Sequence, residues 1–280
     1  MKKVGVCIFI TPYTIGVVPL AQKLEALGFD ALFVPEHPVI PVERKVAWPG
    51  GGELPDWYKR TIDPFIGLTA AAMVTRKLRV GTGICLLPQR NPLVTAKEVA
   101  TLDLISGGRF EFGVGAGWLH DEMQLFGVDI AHPWAQTKDH VLAMKKLWTE
   151  DTAAYSGKYV QFPAVWCDPK PAQKPHPPIL IAGEGPKAPA RVADFGDGWF
   201  PRGRGMDGKG LEAGIKRVTD AWKAKGRSGK PAVTVFAAPA DKDKINDFLS
   251  AGADRVLVML PSEDEPKINA RLEKLAGEVF

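Results

Sequence analysis

Cysteine is scarce in this chain. Three occur in 280 residues, Cys7, Cys85 and Cys167, and no two form a Cys-x-x-Cys pair. That excludes a disulfide framework and a cysteine zinc site, and it points to a reducing compartment. Charge of one sign is missing as well. The formal charge is +4 and no run of Lys or Arg exceeds two residues, so nucleic acid is not an expected partner. No apolar stretch approaches the roughly 20 residues of a membrane span, and no membrane partner is expected. The opening MKKVGVCIFITPY has a short apolar run without an A-x-A cleavage site. It reads as a strand rather than a signal peptide, and the expected location is cytoplasmic. Also absent are HExxH, a carboxylate cage, a Ser/His/Asp spacing and the Gly-Lys-Ser/Thr of a Walker loop. His120, Asp121 and Glu122 are consecutive and do not converge as metal ligands do, so no metal is expected.

What is present is a repeat. LGFDALFV at 27–34, FGDGWF at 195–200 and AGADRVLV at 251–258 each end a helix on glycine, place an aspartate one or two residues later and enter an apolar strand. Strands apolar on both faces belong to buried parallel sheets. Filling the gaps predicts strands near 3–10, 30–34, 78–84, 109–115, 178–182, 197–200, 232–237 and 254–260. Helices follow near 16–27, 62–75, 92–106, 134–149, 186–195, 208–225, 241–251 and 264–277. Leu211, Ile215, Val218 and Trp222 recur at helical intervals, and Asn91-Pro92 reads as a cap followed by a first-turn proline. The fold class is therefore α/β, a (β/α)8 TIM barrel formed by residues 1–280 as one domain. An open doubly wound sheet is the alternative. Two segments interrupt the alternation. A Pro/Gly-rich loop at 35–61, after strand 2, carries Trp48, Trp57 and Tyr58, and AYSGKYVQF within 153–166 reads as a small hairpin inserted before strand 5.

In such a barrel the active site lies at the C-terminal ends of the strands. Those ends are rich in glycine and poor in acid–base groups. In GGRFEFGVGAGW, Gly113, Gly115 and Gly117 alternate, which fails the spacing of a dinucleotide fingerprint. Glycine weakens a strand, so three here imply that another group approaches the backbone closely, or else a tight corner of the barrel. Such a rim suits a flat cofactor held by backbone and apolar contacts. IAGEGPKAP at 181–189 offers free backbone N–H groups, a helix start at Pro186 and Lys187 for a phosphate. Glu184 opposes that charge, and an ordinary βα turn fits the stretch equally. His37 is the best proton-handling residue. A lone histidine beside Pro38 is also an ordinary structural feature, and Glu36 either orients it or faces another neighbour.

The run RVGTGICLLPQRNPLVTAKEVATLDLISGGRFEFGVGAGW and the stretch IAGEGPKAPARVADFGDGWFP resemble the luciferase-like monooxygenase superfamily, within it the branch that uses the deazaflavin coenzyme F420. The resemblance implies a (β/α)8 barrel with a flavin or deazaflavin at the rim. It implies a cis peptide at Gly83–Ile84 behind the ring, with Cys85 beside it, and cofactor contacts from Ala116, Gly117 and Trp118. Gly183, Glu184 and Gly185 match the phosphate loop. His37 falls where some deazaflavin enzymes carry an active-site histidine; its neighbour, often Asp, is here Glu36, and Trp118 stands where some dehydrogenases carry a glutamate. The function implied is an oxidoreductase moving a hydride between coenzyme F420 and a small organic substrate, in a homodimer. An FMN-dependent monooxygenase using O₂ is the first alternative, and a non-catalytic flavin or deazaflavin carrier the second.

Overall fold

A computed structural model describes residues 2–280. Eight parallel strands close into a barrel: β1 (Val4–Cys7), β2 (Ala31–Val34), β3 (Arg79–Thr82) with its short continuation β4 (Cys85–Leu86), β5 (Phe110–Gly115), β8 (Ile179–Ala182), β9 (Gly198–Phe200), β10 (Ala232–Ala238) and β11 (Arg255–Met259). Closure is made by β11 pairing with β1 through Val4–Val256 and Cys7–Met259. The remaining strands, β6 (Ala153–Ser156) and β7 (Gln161–Val165), form the antiparallel hairpin expected before the fifth barrel strand. Among the described residues eight helices cover the barrel: α1 (Val17–Ala26), α2 (Pro64–Met73), α3 (Pro92–Ile105), α5 (Pro133–Thr149), α6 (Ala188–Phe195), α7 (Gly208–Ala224), α8 (Lys242–Ser250) and α9 (Glu265–Val279). A ninth, α4 (His120–Leu125), is short and was not expected as a separate helix. Among the described residues no helix is long and apolar enough to cross a membrane.

Alternation along each strand builds two cores. Val4, Val6, Leu32, Val34, Val256 and Val258 face the helices, in the larger cluster. Cys7, Ala31, Phe33, Leu180, Phe200 and Leu257 fill the barrel itself. Two phenylalanines occupy so much of a narrow interior that opposing positions must lack side chains. A Cβ on Gly81 would lie 2.5 Å from the Phe33 ring.

The floor of the barrel, opposite the mouth, is ionic. Glu111 accepts from Arg255 Nη1 at 2.6 Å and from Arg79, and Arg255 also pairs with Asp30. Burial alone would push the Glu111 carboxyl up, but Arg255 and Arg79 outweigh it and hold it below the ordinary glutamate value. A carboxyl lowered by folding stabilises fully above its unfolded value, and that contribution is lost as pH falls through the lower folded value. Glu111→Gln is therefore expected to unfold more easily near neutrality, with the difference from wild type closing on acidification. Urea midpoints between about pH 3 and pH 7 check this, and a difference that does not change with pH would remove Glu111 as the source.

Candidate active site

The mouth of the barrel is built around the break between β3 and β4. The Gly83–Ile84 peptide is cis, as the resemblance implied. Its carbonyl is held from inside the barrel by the Cys7 thiol, which donates to Gly83 O at 3.6 Å. Burial pushes that thiol up to about 12, so it remains a donor at any ordinary pH. On the far side, Leu86 N donates to Glu36 Oε1 at 2.6 Å. Arg90 Nε donates to both oxygens of Glu36 at 3.1 and 2.9 Å, and Arg90 Nη2 also reaches Asp63 Oδ2 at 2.7 Å. Glu36 therefore does not orient His37. It faces the other neighbour, and its work is to clamp the bulge to the end of β2. Cys85 is wholly buried among the outer apolar residues, so its side chain is turned from the mouth and only its backbone is available there.

His37 has a different partner. Its Nδ1 lies 2.7 Å from Glu122 Oε2, with both side chains buried. Glu122 sits on α4, and its second oxygen accepts from Val39 N at 3.4 Å. A carboxylate accepts from Nδ1–H, which fixes the imidazole tautomer and leaves Nε2 as the exchangeable position. Around this pair stands an aromatic wall. The Tyr58 ring centroid is 5.0 Å from His37, 4.8 Å from Phe9 and 6.0 Å from Trp118, and Trp118 is 5.8 Å from His37. Burial pushes the Tyr58 phenol above its ordinary value, so its hydroxyl stays a donor. The 35–61 loop thus folds inward over the mouth. It is fastened to α4 through Asp121 Oδ2, which accepts from Lys45 N and Val46 N at 3.0 Å each.

The alternating glycines divide into two kinds. A Cβ on Gly113 would lie 2.1 Å from the Thr82 carbonyl and 2.7 Å from the Phe200 ring; on Gly115 it would lie 2.1 Å from Ile84 Cδ1. Another group does approach these glycines, as their number implied, but it is the protein itself. Gly117 differs: it adopts φ +90°, a turn that only glycine takes readily, and it delivers Ala116 and Trp118 to the mouth. Ile84 and Trp118 are only half-buried and remain available to a ligand, whereas Ala116 is buried.

The loop after β8 is the open part of the rim. Gly183 has φ +113°, and a Cβ on Gly183 or Gly185 would meet no atom within 4 Å. Trp199 Nε1 donates to Gly183 O at 2.8 Å, which holds the loop from the core side. The Glu184 carboxylate is taken by Arg202, from whose N it accepts at 2.6 Å and from whose Nη2 it accepts at 3.1 Å. What this loop offers an anion is therefore backbone, with Glu184 already neutralised and Lys187 and Arg204 exposed nearby in sequence.

A family model described as luciferase-like monooxygenase matches residues 14–250. The chain belongs to this family. A Mycobacterium tuberculosis protein of unassigned function is 35% identical over 279 residues, covering 98% of each chain. An FMNH2-dependent dimethylsulfone monooxygenase of Pseudomonas putida is 28% identical over 182 residues, 62% of this chain and 48% of its own. Two solved structures share the fold of this luciferase-like protein. The monooxygenase RslO1 from Streptomyces bottropensis matches with TM-score 0.78 at 20% identity, over 99% and 98% of the two chains. An F420-dependent secondary alcohol dehydrogenase, solved with an F420–acetone adduct, matches with TM-score 0.76 at 18% identity, over 100% and 98%.

The residues of the luciferase-like barrel fit a flat ring with an anionic tail. The unfilled space at Gly183 and Gly185 admits a group close to backbone N–H donors, and Ile84 and Trp118 give half-exposed apolar surface beside the His37–Glu122 pair. Sequence reasoning missed Glu122 and Arg90. Glu122 carried no distinct signal: it stands on a segment that reads as an ordinary polar stretch, and Trp118 lies outside the short helix that begins at His120.

Proposed function

We propose that this protein transfers a hydride between the deazaflavin coenzyme F420 and a small organic substrate. The observation that carries the reading is the buried His37–Glu122 pair at the barrel mouth. Moving a hydride to or from a carbon that bears oxygen requires a proton to move at that oxygen. Imidazole with one nitrogen committed to a carboxylate is suited to hold or release that proton at the other. When bound, the coenzyme supplies or accepts the hydride at carbon 5. His37 Nε2 holds the exchangeable proton, Glu122 fixes the ring and balances its charge, and Tyr58, Trp48 and Trp118 reduce access of water. Backbone N–H groups at Gly183–Gly185 hold the anionic tail, and proximity supplies much of the acceleration.

The similarity to the dimethylsulfone monooxygenase favours a second reading, in which reduced FMN activates O₂. Fluorescence titration with oxidised and reduced F420 and FMN separates the two. Micromolar affinity for F420, with hydride transfer to at least one member of a panel of small alcohols, ketones and enones, is the expected result. Binding of reduced FMN with no response to F420 would overturn it. Tight F420 binding with no turnover on any substrate would instead identify a carrier.

A further inference from the structure

Among the described residues, Ala237 alone adopts a positive φ without being a glycine; its φ is +53°. That conformation is unfavourable for a residue with a Cβ and persists only where its surroundings enforce it. Here it marks a bulge near the end of β10. Val235 pairs with Val256 and Ala238 with Val258, so β10 advances three residues where β11 advances two. Phe236, just before the bulge, is held from the other side. Its N–H donates to Pro201 O at 2.9 Å, and its carbonyl accepts from Gly203 N at 2.7 Å. A Cβ on Gly203 would lie 2.9 Å from Ala238 Cα, so the loop after β9 is pressed against the bulge.

What this arrangement fixes is the Phe236 ring. Val233, Val235 and Ala238 belong to the outer core, whereas Phe236 packs on the barrel interior, its ring centroid 4.8 Å from that of Phe200. It points inward at the C-terminal end of its strand and is only half-buried, so its free surface faces the mouth. Ile84 and Met259 are placed in the same way. Counted round the barrel, β10 is four strands from β3 in either direction. Phe236 therefore stands across the mouth from Ile84. A ring packed on Phe200 is a stiffer wall than the flexible thioether of Met259.

We propose that Phe236 sets the length of substrate that the chamber accepts, and that the substrate is an uncharged apolar ketone, enone or alcohol. The inference rests on the proposed flavin-type function. A ring cofactor seated at the Gly83–Ile84 bulge leaves its other face toward Phe236, with the substrate between them. The substrate oxygen meets His37, and the carbon chain runs toward β10. The other walls, Phe9, Tyr58 and Trp118, are aromatic, and Arg202 is already paired with Glu184.

The test compares Phe236→Ala and Phe236→Leu with wild type, using the best ketone or enone of the panel and longer straight-chain homologues of it. Two readouts are taken: kcat/KM with reduced F420, and affinity for the protein saturated with oxidised F420, where no reaction occurs. In Phe236→Ala the preference for the longer homologues over the parent compound is expected to rise by about tenfold or more in both readouts. Phe236→Leu, which keeps apolar packing on Phe200, is expected to fall between and carries the comparison if the alanine variant fails to fold. Affinity for F420 is expected to stay within about threefold of wild type. Equal losses for every chain length overturn the inference and leave the ring a packing role. So does a loss of F420 affinity of about tenfold with the chain-length preference unchanged, which would turn the ring toward the cofactor. Both outcomes leave the proposed function standing. Wild type that neither binds nor turns over any of these compounds overturns the functional reading, and the inference with it.

Discussion

Replacing His37 with asparagine is expected to lower the rate of hydride transfer by about 10²–10⁴-fold, the range that a positioned acid–base group supplies. Glu122→Gln is expected to lose about 10²-fold, because glutamine still accepts from Nδ1–H but no longer balances charge on the ring. The two act as one unit. Nδ1 lies 2.7 Å from Glu122 Oε2, and that carboxylate reaches the mouth through the imidazole. The double variant is therefore expected to be scarcely slower than His37→Asn alone. Steady-state rates on the best substrate of the panel measure this, with coenzyme affinity followed in parallel. Affinity is expected to stay within about threefold of wild type, since neither residue is assigned to holding the coenzyme. Rate losses that multiply across the two substitutions would show that His37 and Glu122 work separately. Unchanged rates in His37→Asn would remove the pair from the chemistry.

The largest effect on stability is expected at Arg90. Its guanidinium serves Glu36, Asp63 and Glu98 and lies 4.7 Å over the Phe65 ring. Burial alone would lower the arginine's proton affinity, but Glu36 outweighs it and raises it. Arg90→Met leaves the buried Glu36 carboxylate with Leu86 N–H and no cation. Breaking a buried ion pair from one side costs about 3–5 kcal/mol. For a chain of this size that corresponds to a fall in melting temperature on the order of 10 °C. Arg90→Met with Glu36→Leu is expected to recover much of the loss, since the stranded charge is then removed as well. Arg202 gives the contrast. It too pairs with a glutamate, but it is 60% exposed, and Arg202→Met is expected to cost about 0–1 kcal/mol. Thermal unfolding of the three variants against wild type decides the matter. Equal losses at Arg90 and Arg202, or no recovery in the double variant, would contradict this account of the bulge.

The barrel was legible because its signals are local. Helix-ending glycines, aspartates and apolar strand runs placed each of the eight strands and each of the eight covering helices within a few residues of its observed bounds. The cis bond at Gly83–Ile84 was legible only through resemblance, as a peptide's isomer leaves no mark in composition. The site was harder to read because its pairings are remote. His37 meets a residue 85 positions away, and Glu36 one 54 positions away. Adjacency in the chain left open whether Glu36 orients His37 or faces another neighbour; successive residues beyond a strand end point in different directions, and each found a partner on a different element. The glycines at 113 and 115 were legible as vacancies, and what they admit was not. Phe200 and Ile84 come from other strands, and only the closed barrel brings them there.

The short helix α4 carries two adjacent carboxylates with separate duties: Asp121 fastens the covering loop at Lys45 and Val46, and Glu122 grips His37. Any redesign of this enzyme for new substrates inherits that linkage. Grafting a foreign segment across residues 37–46 would unfasten the anchor and disturb the imidazole together, whereas exchanging 49–57, between Trp48 and Tyr58, alters the ceiling of the chamber and spares its chemistry.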